Sequence, residues 1–552
     1  ESAVFTKYVD QAPLTASERA QWKAEAKALR AIYYFYLVRT YGPVPVLEDD
    51  YALDTPSNEL QLSRSTVDRC FDFIVSELKE AQNAGLLEDA SSDKTTGVGR
   101  IDKAIAQAFI IEALTYRASW LFNGECTYYA DMANPDGTRL FPSQPDAATI
   151  KADWQKVVTE CQKFFADYGN RFQLMYTDKS GKSVAGPDAE GFNPYESYRR
   201  AIRTLFSEMG NNKEMIFYRM DNAAGTMQYD RMPNKSGNTN DYRGGSLLGA
   251  TQEMVDAYFM ANGMSPVTGY AADGVTPIIN EASGYKEDGT SSSDYKSADG
   301  TLYAPAGTRN MYVNREPRFY ASVAFNGAFW ALSSAQDGDR RNQQVWYYRG
   351  SDNGRKNSSD YWIPTGIGVL KFVSPNDCNT NNGRIYDKVD IPLRYTDILL
   401  MYAEALNELT PSSSYEVTTW EGEPITVSRN TEEIRKAVLP VRMRAGVPDY
   451  NEETYNDQTL FRKKLIHERQ VEFMGENQRY YDLRRWKLAP VEESEQIYGY
   501  NVLMTESKKE RFYERIRVEN LQANFSRKMY FWPMPQNELK RNRKMTQAPG
   551  WE

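Results

Sequence analysis

The segment Ile466-His467-Glu468-Arg469-Gln470-Val471-Glu472-Phe473 continues through Arg479 and Asp482 to Leu483-Arg484-Arg485-Trp486, and it restricts the fold more than any other part of the 552-residue chain. Acids and arginines alternate there too densely for an ordinary solvated helix face. Glu468 and Glu472 sit four apart on one face, a like-charge pairing that destabilises an isolated helix. Arginine forks suit partly buried carboxylate pairs, and Arg469, Arg479 and Arg484 are the nearby candidates to relieve the repulsion. The pattern predicts a structural ion-pair network that joins helices. The competing reading of the same residues is a carboxylate catalytic site.

Composition removes several function classes. A net charge of −9 speaks against nucleic acid, whose binders carry basic faces. No window resembles a membrane span of about 20 apolar residues. Cys70, Cys126, Cys161 and Cys378 have no zinc spacing, and Cys70 and Cys161 fall on apolar helical stripes as small buried hydrophobes. His467, the one histidine, lacks the second His of an HExxH motif, and no GxSxG elbow accompanies it. Gly97-x-Gly99 and Gly366-x-Gly368 lack the third glycine of a nucleotide loop and read as turns. Tyrosine is heavy at 38 copies, beside 10 Trp. Most fill a core, but rings on a polar chain also suit sugar or peptide platforms.

The first 170 residues read as paired helices. One carries Trp22, Leu29, Tyr33 and Tyr36 on a stripe, with Ala24, Ala28 and Ala31 for close approach, and stops at Gly42-Pro43. Ser65-x-x-Asp68 resembles a capping box. A third helix runs from about Asp102 to Phe122, and a fourth ends at Gly169. From about 170 to 390, clusters of Ser, Gly, Asn and Asp mark loops around short strand-like runs such as Met215–Tyr218 and 321–325. Helices are expected again at 391–409, 430–445 and 459–479, with an extended segment after 524. The division expected is 1–170 helical, 171–390 a loop-rich insert, and 391–552 a C-terminal helical part with an extended tail, all packed as one unit.

Loops on a rigid scaffold are where binding resides, and 326–362 is the strongest candidate. Trp346 and Tyr348 share a face of an expected strand while Tyr347 points away. Trp330, Tyr361 and Trp362 flank them; Arg349, Asp352 and Asn353 supply directional hydrogen-bond groups. Tyr242 and Arg243 form a second, weaker candidate. An exposed ring stacks on the apolar C–H face of a pyranose and polar neighbours select stereochemistry; the alternative is that Trp346 and Tyr348 are strand core. Asp377, Asp387 and Asp390 offer oxygen ligands for calcium without EF-hand spacing.

The 466–486 segment resembles the "ER..EF..E..R..DL.RW" signature of the SusD/RagB family, surface glycan- or nutrient-binding lipoproteins of Bacteroidetes. Other segments follow in the family's order. Ala24-Glu25-Ala26-Lys27-Ala28-Leu29-Arg30-Ala31 leads to Tyr41-Gly42-Pro43-Val44-Pro45. Arg315-Glu316-Pro317-Arg318 resembles the "RDPR" turn, with Glu316 for Asp. Thr365-Gly366 with Lys371-Phe372 is similar to "TGY...KF". The run from Arg394 to Ala405 resembles "RYADILLMYAEA", Val441–Gly446 the "VR.RAG" segment, and Trp532–Trp551 the "PIP...QNPGY" ending. The likeness extends from about Trp22 and is weakest between 125 and 310.

The resemblance implies a mainly α fold, with a tetratricopeptide-like helical scaffold and an irregular insert containing short strands. It implies a non-catalytic, lipid-anchored outer-membrane protein on the extracellular face, binding oligosaccharide as a lid over a SusC-like TonB-dependent transporter. Peptide or other nutrient cargo is the alternative within the family. A surface glycoside hydrolase is the alternative outside it, since two-carboxylate chemistry depends on a separation that sequence spacing does not report. A protein-binding adaptor without a small-molecule site is the remaining one. The family leads one to expect a signal peptide, an acceptor Cys and more residues before the 24–31 segment than precede it here. The family's ligand residues lie outside its shared motifs, so the resemblance nominates none.

Overall fold

The computed structural model describes all residues except 49, 53, 94–96, 220–223, 235–243, 337, 339–340, 356–361, 380–382, 410–414 and 419–423. Tyr242, Arg243 and Tyr361 therefore lie outside the described residues.

Four long helices, Ala16–Tyr41, Val67–Ala84, Lys103–Ala118 and Ala147–Tyr168, pack each on the next. Helix Tyr395–Glu408 then packs against Ala147–Tyr168, and Thr431–Arg444 and Gln458–Glu472 pack against Tyr395–Glu408. Two segments far apart in sequence thus build one helical array around one apolar core. The molecule is predominantly helical with scattered short strands.

Local chemistry sets the helix ends. Thr15 and Glu18 form a reciprocal capping box before Ala16. Asp102 caps through the Ile105 N–H, and Asp146 through the Thr149 N–H. The 67–84 helix is capped one residue later than the sequence suggests: the Thr66 hydroxyl accepts from Arg69 N, while Ser65 Oγ accepts from Val46 N. The 103–118 helix also ends earlier than expected, at Ala118. In the first long helix the buried face is Ala28, Ala31, Ile32, Phe35 and Val38, whereas Trp22 and Tyr33 are exposed. Small residues let the next helix approach closely, so the aromatic stripe falls outside the contact.

Two further boundaries differ from expectation. Residues Asp390–Arg394 are a strand, paired antiparallel with Met215–Arg219, and the helix begins only at Tyr395. The expected 459–479 helix is two, Gln458–Glu472 and Gln478–Arg485, broken where Gly475 and Asn477 both adopt positive φ. Residues 321–325 are split between helix Pro317–Ser322 and strand Val323–Ala324. A hairpin of Gln496–Tyr500 with Arg515–Gln522 lies in the region expected to be helical. Its Tyr500 joins Val502 and Phe512 in a second apolar core with the residues of the 230–375 loops.

Candidate functional site

The acid–arginine segment is the hub of the molecule. Glu468 and Glu472 are fully buried on helix Gln458–Glu472. Arg318 Nη1 donates to both, at 2.7 Å and 2.8 Å. Arg442 Nη1 donates to Glu468 at 2.6 Å, Arg394 Nη1 to Glu472 at 2.8 Å, and Arg444 Nη2 also to Glu472. Arg394 and Arg444 reach on to Glu214 at 2.7 Å and 2.9 Å, and Glu476 accepts from Arg394 Nε at 2.9 Å. The network expected from sequence is present, but its partners are not the local ones. Arg469 pairs with Asp482, Arg479 with Glu492 and Arg484 with Glu493.

Burial alone would raise these carboxyls; the guanidinium forks outweigh it. Arg318 and Arg442 bring Glu468 down to about 2, and Arg444, Arg394 and Arg318 hold Glu472 well below the usual carboxylate range. Permanently ionised, sealed from solvent and fully engaged, the pair has no route to a substrate, which removes the catalytic reading of these two residues. The 315–318, 365–372, 394–405 and 441–446 motifs each place a side chain here or beside it. Glu316, in place of the usual Asp, accepts from Arg318 Nε at 2.6 Å and from Phe259 N. Lys371 Nζ donates to Tyr198 Oη, Glu472 O and Glu476 Oε1, and burial pushes it down to about 8. Glu404 takes a bidentate Arg485 and the Trp486 indole N–H. His467 lies against Phe259 with its Nε2 2.6 Å from Ala257 O, and desolvation lowers it to about 4.

The aromatic region lies elsewhere, on a hairpin of Ala328–Trp330 with Gln343–Val345, where Phe329 faces Gln344 and Trp330 faces Gln343. Period two sends Trp330 inward, only 2% exposed, and Phe329 outward at 43%. Trp330 therefore offers no face to a ligand. Just beyond the strand, Trp346 is 36% exposed and lies parallel to Tyr348, with ring centroids 5.7 Å apart and planes 12° apart. Tyr348 is buried and braced edge-on by Phe512 at 4.8 Å, while Tyr347 turns into the core. Gly327, at φ 93°, makes room for this arrangement, since a Cβ there would come within 2.8 Å of the Trp346 ring. Asn326 Oδ1 accepts from Tyr347 N and Ser351 Oγ donates to Trp346 O, which fixes the backbone on both sides.

The remaining candidates divide. Arg349 is exposed, with its backbone N–H on Met504 O at 2.9 Å. Asn353 is buried and holds both backbone groups of Asn234, so its amide clamps two loops and does not face a ligand. Trp362 is half-buried against the second core with the Arg355 guanidinium 5.0 Å from its ring. Among the described residues no ring contact joins it to Trp346. Sequence reading overlooked Phe329, Gln344 and the bracing Phe512; in a three-residue strand nothing local tells which of Phe329 and Trp330 faces out.

The proposed calcium ligands are otherwise engaged. Asp377 accepts from Lys388 Nζ and from the Ser374 and Tyr386 N–H groups, and Asp390 pairs with Arg219. No cluster of three candidate metal ligands occurs among the described residues.

A family profile described as the SusD family matches residues 213–551, more than half the chain and the part that carries the ion-pair network. The chain belongs to the SusD family. A second profile, described as starch-binding and associating with the outer membrane, matches residues 7–111. SusD-like protein P2 of Formosa agariphila is 31% identical over 187 residues, 33% of this chain and 30% of that protein, so the match spans under a third of that relative's length. Among solved structures, the protein BT4246 is similar over 100% of this chain and 87% of its own, at 25% identity and a TM-score of 0.77. A SusD-like protein from Bacteroides fragilis is similar over 100% of this chain and 83% of its own, at 23% identity and 0.68. Among the described residues no helix is long and apolar enough to cross a membrane.

Proposed function

We infer that this SusD-family protein is a non-catalytic glycan-binding protein of the outer-membrane surface, which captures oligosaccharide and delivers it to a SusC-like TonB-dependent transporter. The observation that carries the reading is the Trp346–Tyr348 pair. A ring braced from behind, with part of its area in water, loses little freedom when a sugar stacks on it. Gln344 and Arg349 flank it as exposed hydrogen-bonding groups, and Phe329 extends the apolar area. Starch binding and outer-membrane association in the matching family description support the ligand class and the location. Lipid anchoring and the transporter partner rest on family membership.

Calorimetric titration against plant, host and microbial polysaccharides, with product analysis on the same samples, tests this. Binding without cleavage is the expected outcome. Binding of peptides and of no glycan would replace the cargo, and cleavage would overturn the non-catalytic reading.

A further inference from the structure

A cavity of about 440 Å³ lies at the junction of the helical array and the insert, apart from the aromatic hairpin. Its walls come from helix Ala16–Tyr41, helix Lys103–Ala118, the short helix Ala224–Arg231, strand Asp390–Arg394 and the break at 475–478. That size suits a small solute. Tyr36, Ile202, Phe372, Val389, Ile391 and Pro392 give it apolar sides, with charged and amide side chains set among them.

Three features show an excess of donors. Gln228 is 0% exposed; its carbonyl accepts from Lys388 Nζ at 2.6 Å, while its amide nitrogen has no hydrogen-bond partner. A buried donor left unmade costs about 1–3 kcal/mol, so the fold holds this group for something outside the protein or bears that cost. Arg39 stands over the Tyr36 and Tyr481 rings at 4.4 Å and 4.1 Å, and its Nε is likewise without a hydrogen bond. Helix Gln478–Arg485 starts at the cavity with no side chain capping it, and Asn477 before it is left-handed. Such an end favours negative charge.

The acids facing the same space are already matched. Glu112 lies 3.6 Å from Arg39, Asp390 pairs with Arg219, and Glu476 pairs with Lys371 and Arg394. The carboxylates in the lining are engaged, whereas two of the lining residues hold donors without a protein partner and one helix N-terminus opens there. We propose that this cavity, with the Gln228 amide, Arg39 and the start of helix Gln478–Arg485, is a second ligand site that takes a small organic carboxylate, such as a sugar acid or an amino-acid derivative. It is separate from the aromatic platform and does not depend on the glycan reading of that surface.

The test is titration of the full chain with galacturonate, galactose and N-acetylglycine, repeated on Gln228→Glu and Trp346→Ala. Gln228→Glu keeps an acceptor for Lys388 but replaces the free donor with a carboxylate oxygen, so a matched melting curve shows that the fold survives. The expected result is that at least one carboxylate binds, galacturonate more tightly than galactose by about tenfold if the sugar acid is the better fit. Gln228→Glu should lose that binding by about tenfold or more, and Trp346→Ala should keep it. The tighter of galacturonate and N-acetylglycine names the source. Absence of carboxylate binding, binding that Gln228→Glu leaves unchanged, or binding lost in Trp346→Ala would each overturn the proposal.

Discussion

The Glu468–Glu472 hub and the Trp346–Tyr348 surface show opposite uses of chemically rich side chains. In the hub, Glu214, Glu468 and Glu472 are buried and met by arginines from other segments, so the chemistry is consumed in holding the array, the 390–394 strand and the insert turn together. On the hairpin, a large apolar ring stays in water although burying it would be favourable. The contrast teaches where to look for function in such a fold. Several of the segments that identify the family are its internal fastening, and the surface proposed to meet a ligand lies in loops that carry no motif.

The comparison is most severely tested at Glu472. Replacing it with Gln removes the charge that Arg318, Arg394 and Arg444 share, and breaking a buried pair this way costs about 3–5 kcal/mol. Glu472→Gln should therefore show a markedly lower Tm or accumulate as insoluble protein; a wild-type melting curve would refute the fastening role. Trp330→Ala should cost stability on a similar scale, about 3–5 kcal/mol, because it empties a core position. Glycan affinity of the protein that remains folded should be nearly unchanged, and a large affinity loss would place Trp330 in the site after all.

Gly327→Ala sharpens the boundary between the regions. The added methyl meets the Trp346 ring at a positive φ, so affinity should fall severalfold with a stability loss of about 1–2 kcal/mol; equal affinity would show that the ring's placement does not matter. The smallest effect concerns acid. His467 sits near 4 in the folded protein against an ordinary 6.5, so between those values the unfolded chain takes up a proton that the native one refuses. Stability is then lost as pH falls from about 6.5 toward 4. His467→Gln, which keeps a neutral donor for Ala257 O, should give a shallower decline of Tm over that window. An identical slope would mean that the ring already titrates normally.

Much of the scaffold was legible in sequence because its signals are local: a helix start near Asp102, Gly42 and Gly169 as stops, and apolar periodicity between them. The existence of a network was legible too, since Glu468 and Glu472 on one face demand cations. Its partners were not, because Arg318, Arg394, Arg442 and Arg444 arrive through tertiary packing, and a sequence shows only the arginines nearby. The strand at Asp390–Arg394 was hidden for the same reason: its register depends on Met215–Arg219, more than 170 residues earlier. In the insert, short strands leave too few residues for a period, so Trp330 and Phe329 could not be told apart, and Asn353 gave no sign that its amide would hold Asn234. The Trp346 and Tyr348 pairing was legible from their alternation alone; their bracing by Phe512 was not.

The most direct measurement is Trp346→Ala, with melting temperature and affinity for a bound glycan determined on the same preparation. The account predicts an unchanged Tm and a loss of about 1–3 kcal/mol in binding, as for a central aromatic anchor. Unchanged affinity in a folded variant, or unfolding with the loss of this one exposed ring, would contradict it.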